Sequence, residues 1–324
     1  MGRSPIRRVR HLVAVVLTVV LGAALAVPGR AHAAGLEQVT GFGTNPGNLV
    51  MYAYRPAGLP PGAPAVVLLH GCTQDAAGYF ANSGWRAFAD RWRFALVLAQ
   101  QQTANNSAAC FNWFLPADTS RGQGEALSIR QMAGYAVATY GTDPARIFVS
   151  GLSAGGAMSA VMLATYPEVF AAGSIAAGLP YRCATSVATA MTCQYAPPDR
   201  TAAQWGGLVR AAVPGYSGPW PRVAIWHGQA DWTVVPANGV ELRDQFTGVL
   251  GIAAQPTATR ALPAGTTLEV YGADQVRLYR IAGMGHGLPV DPGAEPQQCG
   301  AAAAYFLDTI CSAYQDAVFF GLDR

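Results

Sequence analysis

The sequence predicts an α/β fold, a mostly parallel sheet with helices on both faces, formed as a single domain. Three observations predict it. Runs such as Ala65-Val66-Val67-Leu68-Leu69 and Val223-Ala224-Ile225-Trp226 are apolar at every position, the pattern of strands covered on both faces. Helix-patterned stretches alternate with these runs along the chain. No linker, internal repeat or low-complexity tract separates them into two units.

In chain order, strands are expected over about 49–54, 65–70, 94–99, 146–150, 171–177, 222–227, 267–271 and 276–281. Each is a short apolar or β-branched run followed by turn residues. Helices are expected over about 78–92, 125–140, 154–166, 236–247 and 299–316, the one after Ser153 being rich in alanine and methionine. The stretch 180–219 is rich in Pro, Gly and Cys and reads as irregular, a segment that shapes the substrate side of the sheet.

The N-terminus reads as an export signal. Arg3, Arg7, Arg8 and Arg10 precede an apolar run from Leu12 to Val27, and Ala31-His32-Ala33 forms a cleavage site before Ala34. The run is too short and wrongly flanked to span a membrane comfortably. The expected division is therefore a signal peptide over 1–33 and a catalytic domain over 34–324. The protein would then be secreted, with no stable membrane association. All 21 basic residues are arginines, against 18 acidic ones, and five of the arginines lie at or before Arg30. The remainder carries a formal charge of −2, which gives no support for nucleic-acid binding.

The stretch Ile147-Phe148-Val149-Ser150-Gly151-Leu152-Ser153-Ala154-Gly155-Gly156 places Gly-x-Ser-x-Gly between a buried strand and a helix. In that context the serine sits on a tight turn with its hydroxyl exposed, and small neighbours let strand and helix approach. Ser153 is the expected nucleophile. Its base should follow it in the chain, which leaves His227 and His286. His286 lies in Gly283-Met284-Gly285-His286-Gly287, a glycine-rich loop after the last strand, and is the expected base. Asp231, after the strand ending at His227, is the expected acid. Asp199, Asp244 and Asp274 lie in a Pro-rich segment, a helical stretch and a hairpin turn. An oxyanion hole needs two backbone donors. The Ala154 N–H supplies one, and Cys72 or Thr73, in the His70-Gly71-Cys72-Thr73-Gln74 loop, supplies the other. His70 reads as a brace for that loop. Thr73 and Trp232 are candidate pocket residues, with packing under the His286 loop the other reading of Trp232.

Several blocks together resemble the polyhydroxybutyrate depolymerase family of serine esterases, related to bacterial feruloyl and acetylxylan esterases. They are Leu69-His70-Gly71-Cys72-Thr73-Gln74, Cys110-Phe111-Asn112-Trp113-Phe114, Arg121-Gly122-Gln123-Gly124-Glu125 and Gly151 to Met158. Trp226-His227-Gly228 through Asp231, Gly285-His286-Gly287 and Pro289-Val290-Asp291-Pro292-Gly293 complete the set. The resemblance implies the α/β-hydrolase fold and a Ser-His-Asp ester hydrolase, its motif positions falling on Ser153, Asp231 and His286. Members that attack solid polyester usually carry a linker and a polymer-binding domain after the catalytic one, and the sequence predicts no such domain here.

Six cysteines in an exported chain predict disulfides. Proximity suggests Cys183 with Cys193 and Cys299 with Cys311, leaving Cys72 with Cys110 to tie the oxyanion loop down. No spacing resembles a metal site and no cofactor is expected. The expected substrate is an ester or polyester, favouring short-chain polyhydroxyalkanoate over feruloyl or acetylxylan esters. An acyltransferase using the same acyl-enzyme and a non-catalytic binding protein are the other classes.

Overall fold

In the computed structural model, residues 1–2 and 35–324 are described; the expected export signal and its cleavage site lie outside them. The unit from Ala33 to Arg324 begins with strands β1 (Glu37–Val39), β2 (Val50–Tyr54) and β3 (Ala65–Leu69), then helices α1 (Ala76–Asn82) and α2 (Trp85–Trp92). Strand β4 (Ala95–Gln100), helices α3 (Pro116–Thr119) and α4 (Gly124–Tyr140), strand β5 (Ile147–Leu152) and helix α5 (Ala154–Thr165) follow. Next come β6 (Ala172–Ala176), α6 (Val187–Tyr195), α7 (Ala202–Ala212), β7 (Arg222–Gly228) and α8 (Ala237–Leu250). Strands β8 (Ala258–Leu262), β9 (Thr266–Tyr271), β10 (Val276–Ile281), β11 (Leu288–Val290) and β12 (Phe306–Asp308) and helix α9 (Ser312–Phe320) complete it.

Ten strands form one sheet in the order β1-β2-β4-β3-β5-β6-β7-β10-β9-β8. The six from β4 to β10 run parallel, and antiparallel strands close both edges. The period-2 alternation of strands divides the core into two layers. Ala65, Val67 and Leu69 pack on one side with α4, α5 and α8, while Val66 and Leu68 pack on the other with α1, α2 and α9. The chain reverses its direction of travel across the sheet between β3 and β5, where the carboxyl ends of strands open a crevice for ligands.

Three expectations need correction. The helix expected over 78–92 is two helices, because Gly84 adopts φ +83 and an added Cβ there would lie 2.4 Å from Cys299 Sγ. The helix expected over 299–316 forms only as α9, which begins at Ser312. The alanines of 301–304 are held instead in a loop by the Cys299–Cys311 disulfide, Gly300 at φ +80 and the short β11–β12 ladder. The stretch 180–219 is not irregular, since it contains α6 and α7. Both start from capping boxes, Ser186 with Thr189 and Thr201 with Gln204, and the second of these matches the Ser/Thr-x-x-Glu/Gln signature readable in the sequence.

Candidate active site

The turn from β5 into α5 fixes Ser153 by backbone contact. Ser153 has φ 57 and ψ −117, a conformation costing about 1–3 kcal/mol that persists only where its surroundings enforce it. They do so here. An added Cβ on Gly151 would lie 2.3 Å from the Gly155 carbonyl oxygen, and one on Gly155 2.1 Å from that of Leu69. The Ser153 N–H donates to the Ala176 carbonyl at 2.8 Å, and every residue of α5 is buried.

Two loops bring the partners. The loop after β7 carries Asp231 and the loop after β10 carries His286. They are joined by Gln229 N–H to Ile281 O and Ala230 N–H to Met284 O, both 2.9 Å. His286 Nε2 lies 2.9 Å from Ser153 Oγ, and His286 Nδ1 lies 2.7 Å from Asp231 Oδ2. The other carboxylate oxygen, Oδ1, accepts from the Thr233 and Val234 N–H groups at 2.9 Å each, so the buried carboxylate is oriented as well as solvated. Ser153, His286 and Asp231 are thus assembled in the geometry of a nucleophile, base and orienting acid, in that order.

The two remaining described histidines are braces. His227 is fully enclosed; its Nε2–H donates to Val234 O at 2.8 Å, and Nε2 lies 3.7 Å from Asp231 Oδ2. Burial lowers its pKa, which keeps it neutral beneath the acid loop. His70 donates from Nδ1 to Gly71 O at 2.7 Å and accepts the Gln101 N–H at Nε2, 3.1 Å. Both its nitrogens are engaged and burial depresses its pKa, so it has no free position for proton transfer.

Among the described residues, the Cys72 and Ala154 N–H groups have no hydrogen-bond partner, whereas the Thr73 N–H is taken by Ala108 O at 2.7 Å. That separates the two candidate donors and leaves Cys72. The Cys72–Cys110 disulfide anchors this loop, and Cys110 O accepts from Gln101 Nε2 at 3.1 Å. Gln101 Nε2 also donates to buried Glu125, whose second oxygen accepts the Asn112 N–H at 2.8 Å. Burial raises the Glu125 carboxyl to about 8, with nearby Asp118 adding to the shift. Glu125 and Gln101 were not singled out from sequence; their only signal was membership of, or closeness to, the blocks that carry the family resemblance.

A cavity of about 140 Å³ opens between Cys72, Ser153, Gln194, Thr233, His286 and Tyr305. A larger cleft of about 470 Å³ shares Thr73 and Gln74 with it and is lined by the amides of Gln100, Gln101 and Gln102. Thr73 is therefore at the site. Trp232 is not among the cavity's lining residues, and its packing reading is corrected. The turn closed by Thr233 and Val234 on Asp231 leaves the indole 82% exposed. Tyr305 was missed because it sits in the alanine-rich run read as helix. The cysteines pair as Cys72–Cys110, Cys183–Cys193 and Cys299–Cys311, bonds suited to an oxidising, extracellular setting. Among the described residues no cluster of His, Cys, Asp or Glu is arranged to hold a metal ion, and no helix is long and apolar enough to cross a membrane.

Comparison with known proteins agrees with this geometry. The family model described as esterase PHB depolymerase matches residues 50–271. Poly(3-hydroxyalkanoate) depolymerase C of Paucimonas lemoignei is 51% identical over 292 residues, covering 89% of this chain and 70% of that protein. Feruloyl esterase B of Talaromyces funiculosus is 34% identical over 267 residues, covering 80% of this chain and 75% of its own. The solved acetyl xylan esterase from Aspergillus awamori superposes with a TM-score of 0.77 at 29% identity, over 89% of this chain and 99% of that one. The family model spans more than half of the chain and a relative matches half of the aligned residues, so the chain belongs to the PHB depolymerase esterase family, carboxylic ester hydrolases of the α/β-hydrolase fold.

Proposed function

We propose that the protein hydrolyses short-chain polyhydroxyalkanoate, or its oligomers, through an acyl-enzyme on Ser153. The observation that carries the mechanism is the continuous hydrogen-bond chain from Ser153 Oγ through His286 to Asp231. Ser153 Oγ attacks the ester carbonyl carbon as its proton passes to His286 Nε2. The carbonyl oxygen becomes an oxyanion held by the Cys72 and Ala154 N–H groups. The C–O bond to the alcohol breaks, and the alcohol leaves with the proton from His286. Water then attacks the acyl-enzyme, gives a proton to His286, and the acid departs as Ser153 recovers it. Asp231 keeps the His286 tautomer and offsets the charge of the imidazolium without being protonated.

The substrate reading is supported by the identity to a poly(3-hydroxyalkanoate) depolymerase. The acetyl xylan esterase superposition and the amide-lined cleft beside the site favour a second reading, hydrolysis of plant-wall esters. The basic-then-apolar N-terminus ending in Ala31-His32-Ala33, together with three disulfides, supports export with cleavage after Ala33. The test is product release from amorphous polyhydroxybutyrate and from methyl ferulate in parallel, with Ser153→Ala as blank. Hydroxybutyrate above the blank is the expected result. Ferulate alone would move the protein to plant-wall esters.

A further inference from the structure

Apart from Met1, every large hydrophobic side chain that is strongly exposed among the described residues lies in one of three segments around the catalytic cavity. Val187, Met191 and Tyr195 are 64%, 50% and 53% exposed, Trp232 stands out as described above, and Tyr305 is 45% exposed. Each segment also reaches the cavity itself. Gln194, Thr233 and Tyr305 line it, and Val235 N–H donates to Gln194 O at 2.9 Å, joining two of the segments.

Helix α6 is the clearest case. Val187, Met191 and Tyr195 recur every four residues, so they share one face of the helix. That face points to solvent, while Ala190 and Cys193 point inward. An amphipathic helix ordinarily does the reverse. Charge is missing too: residues 183–198, 232–240 and 300–307 contain no Asp, Glu, Lys, Arg or His. Two of the three segments are cross-linked at their bases, by Cys183–Cys193 and Cys299–Cys311. An uncharged apolar rim, held in shape covalently and continuous with a catalytic cavity, is suited to a flat apolar surface rather than to a dissolved ester.

We propose that the α6 stripe, Trp232 and Tyr305 form a docking face on which the enzyme sits against the surface of a water-insoluble aliphatic polyester, with the cavity opening onto that surface. The inference rests on the polyester reading of the site. Contact is apolar, so adsorption persists in salt that would screen charges at the surface.

The test compares wild type with Val187→Gln/Met191→Gln/Tyr195→Gln, and with Met191→Gln and Tyr195→Gln singly in case the triple variant misfolds. Adsorption to polyhydroxybutyrate film is measured in the Ser153→Ala background, where catalysis plays no part. Hydrolysis is measured on film and on a soluble 3-hydroxybutyrate trimer. The expected result is a loss of about tenfold or more in adsorption and film hydrolysis, from the lost apolar contact area, with trimer hydrolysis within twofold. Unchanged adsorption overturns the docking face, as does an equal loss on film and trimer. So does sedimentation showing a wild-type dimer that the variant dissociates, since the face would then bind a second copy. Wild type that cleaves a nitrophenyl ester but neither film nor trimer overturns the substrate reading instead, and the adsorption comparison separates that failure from failure of the face.

Discussion

The nucleophile turn and the rim of the cavity solve opposite problems a few residues apart in space. From Ile147 to Thr165 nothing but Ser153 itself is left even partly exposed, and two glycines are required by backbone atoms, Gly151 by the α5 residue Gly155 and Gly155 by Leu69 of β3. At the rim, α6 buries only Ala190 and Cys193, and the 301–305 loop is exposed throughout. The first region is positioned by close packing, the second by disulfides. The difference teaches where each kind of precision comes from. A reacting oxygen must sit within a few tenths of an ångström of its partners, which a packed core supplies. A contact surface needs shape but must give up burial, so covalent loop closure stands in for a core.

The comparison breaks most sharply at Ser153. Ser153→Ala is expected to lower kcat/KM on a soluble nitrophenyl ester by roughly 10⁴- to 10⁶-fold, and adding His286→Ala to leave it little changed, as for groups that act as one unit. Residual activity within a hundredfold of wild type would mean that the chemistry lies elsewhere. The disulfides give the next largest contrast. Replacing Cys72 and Cys110 by serine should loosen the loop that carries the proposed oxyanion donor. We expect kcat to fall about 10- to 100-fold with KM little altered, less than outright loss of a donor. Replacing Cys183 and Cys193 is expected to cost stability, about 2–3 kcal/mol for a closure of 10 residues, while kcat on the soluble ester stays within twofold. If the two pairs behaved alike in steady-state kinetics and in Tm, the division between packed and stapled regions would be lost.

The two regions also differed in how far the sequence disclosed them. The all-apolar runs at 65–69 and 223–226 predicted central strands correctly, because a strand buried on both faces has no polar alternation to misread. Gly151-x-Ser153-x-Gly155 was legible for the same reason: the constraint is local backbone geometry written in glycine. The rim was not legible. Alanines 301–304 favour a helix by propensity, and only the distant Cys311 and the clash waiting at Gly300 forbid it. Trp232 was placed by its nearness to Asp231 in sequence, yet the turn that orients the acid turns its neighbour outward. The Gln101–Glu125 brace joins residues 24 apart through side chains alone, which no periodicity reports.

The smallest expected effect separates two buried carboxyls, one in each core layer. Asp316, which accepts from Trp226 Nε1 at 2.8 Å, is raised by burial from 3.8 to about 7. Glu125, beside the oxyanion loop, is raised from 4.5 to about 8. Both favour the protonated form in the folded chain. Between the ordinary carboxyl range and these raised values the folded state therefore binds more protons than the unfolded one, and stability falls as pH rises. Thermal unfolding should show their contribution intact below about pH 4 and lost through pH 7 to 8. Asp316→Asn keeps an acceptor for Trp226 and should flatten the part of this decline below pH 7, leaving activity on a soluble ester within twofold. Glu125→Gln should flatten the upper part and also lower kcat, because one of its two oxygens that accept from Gln101 and Asn112 is exchanged for a donor. A Glu125→Gln enzyme with unchanged kcat would show that the oxyanion loop is held by the Cys72–Cys110 bond without help from the network beneath it.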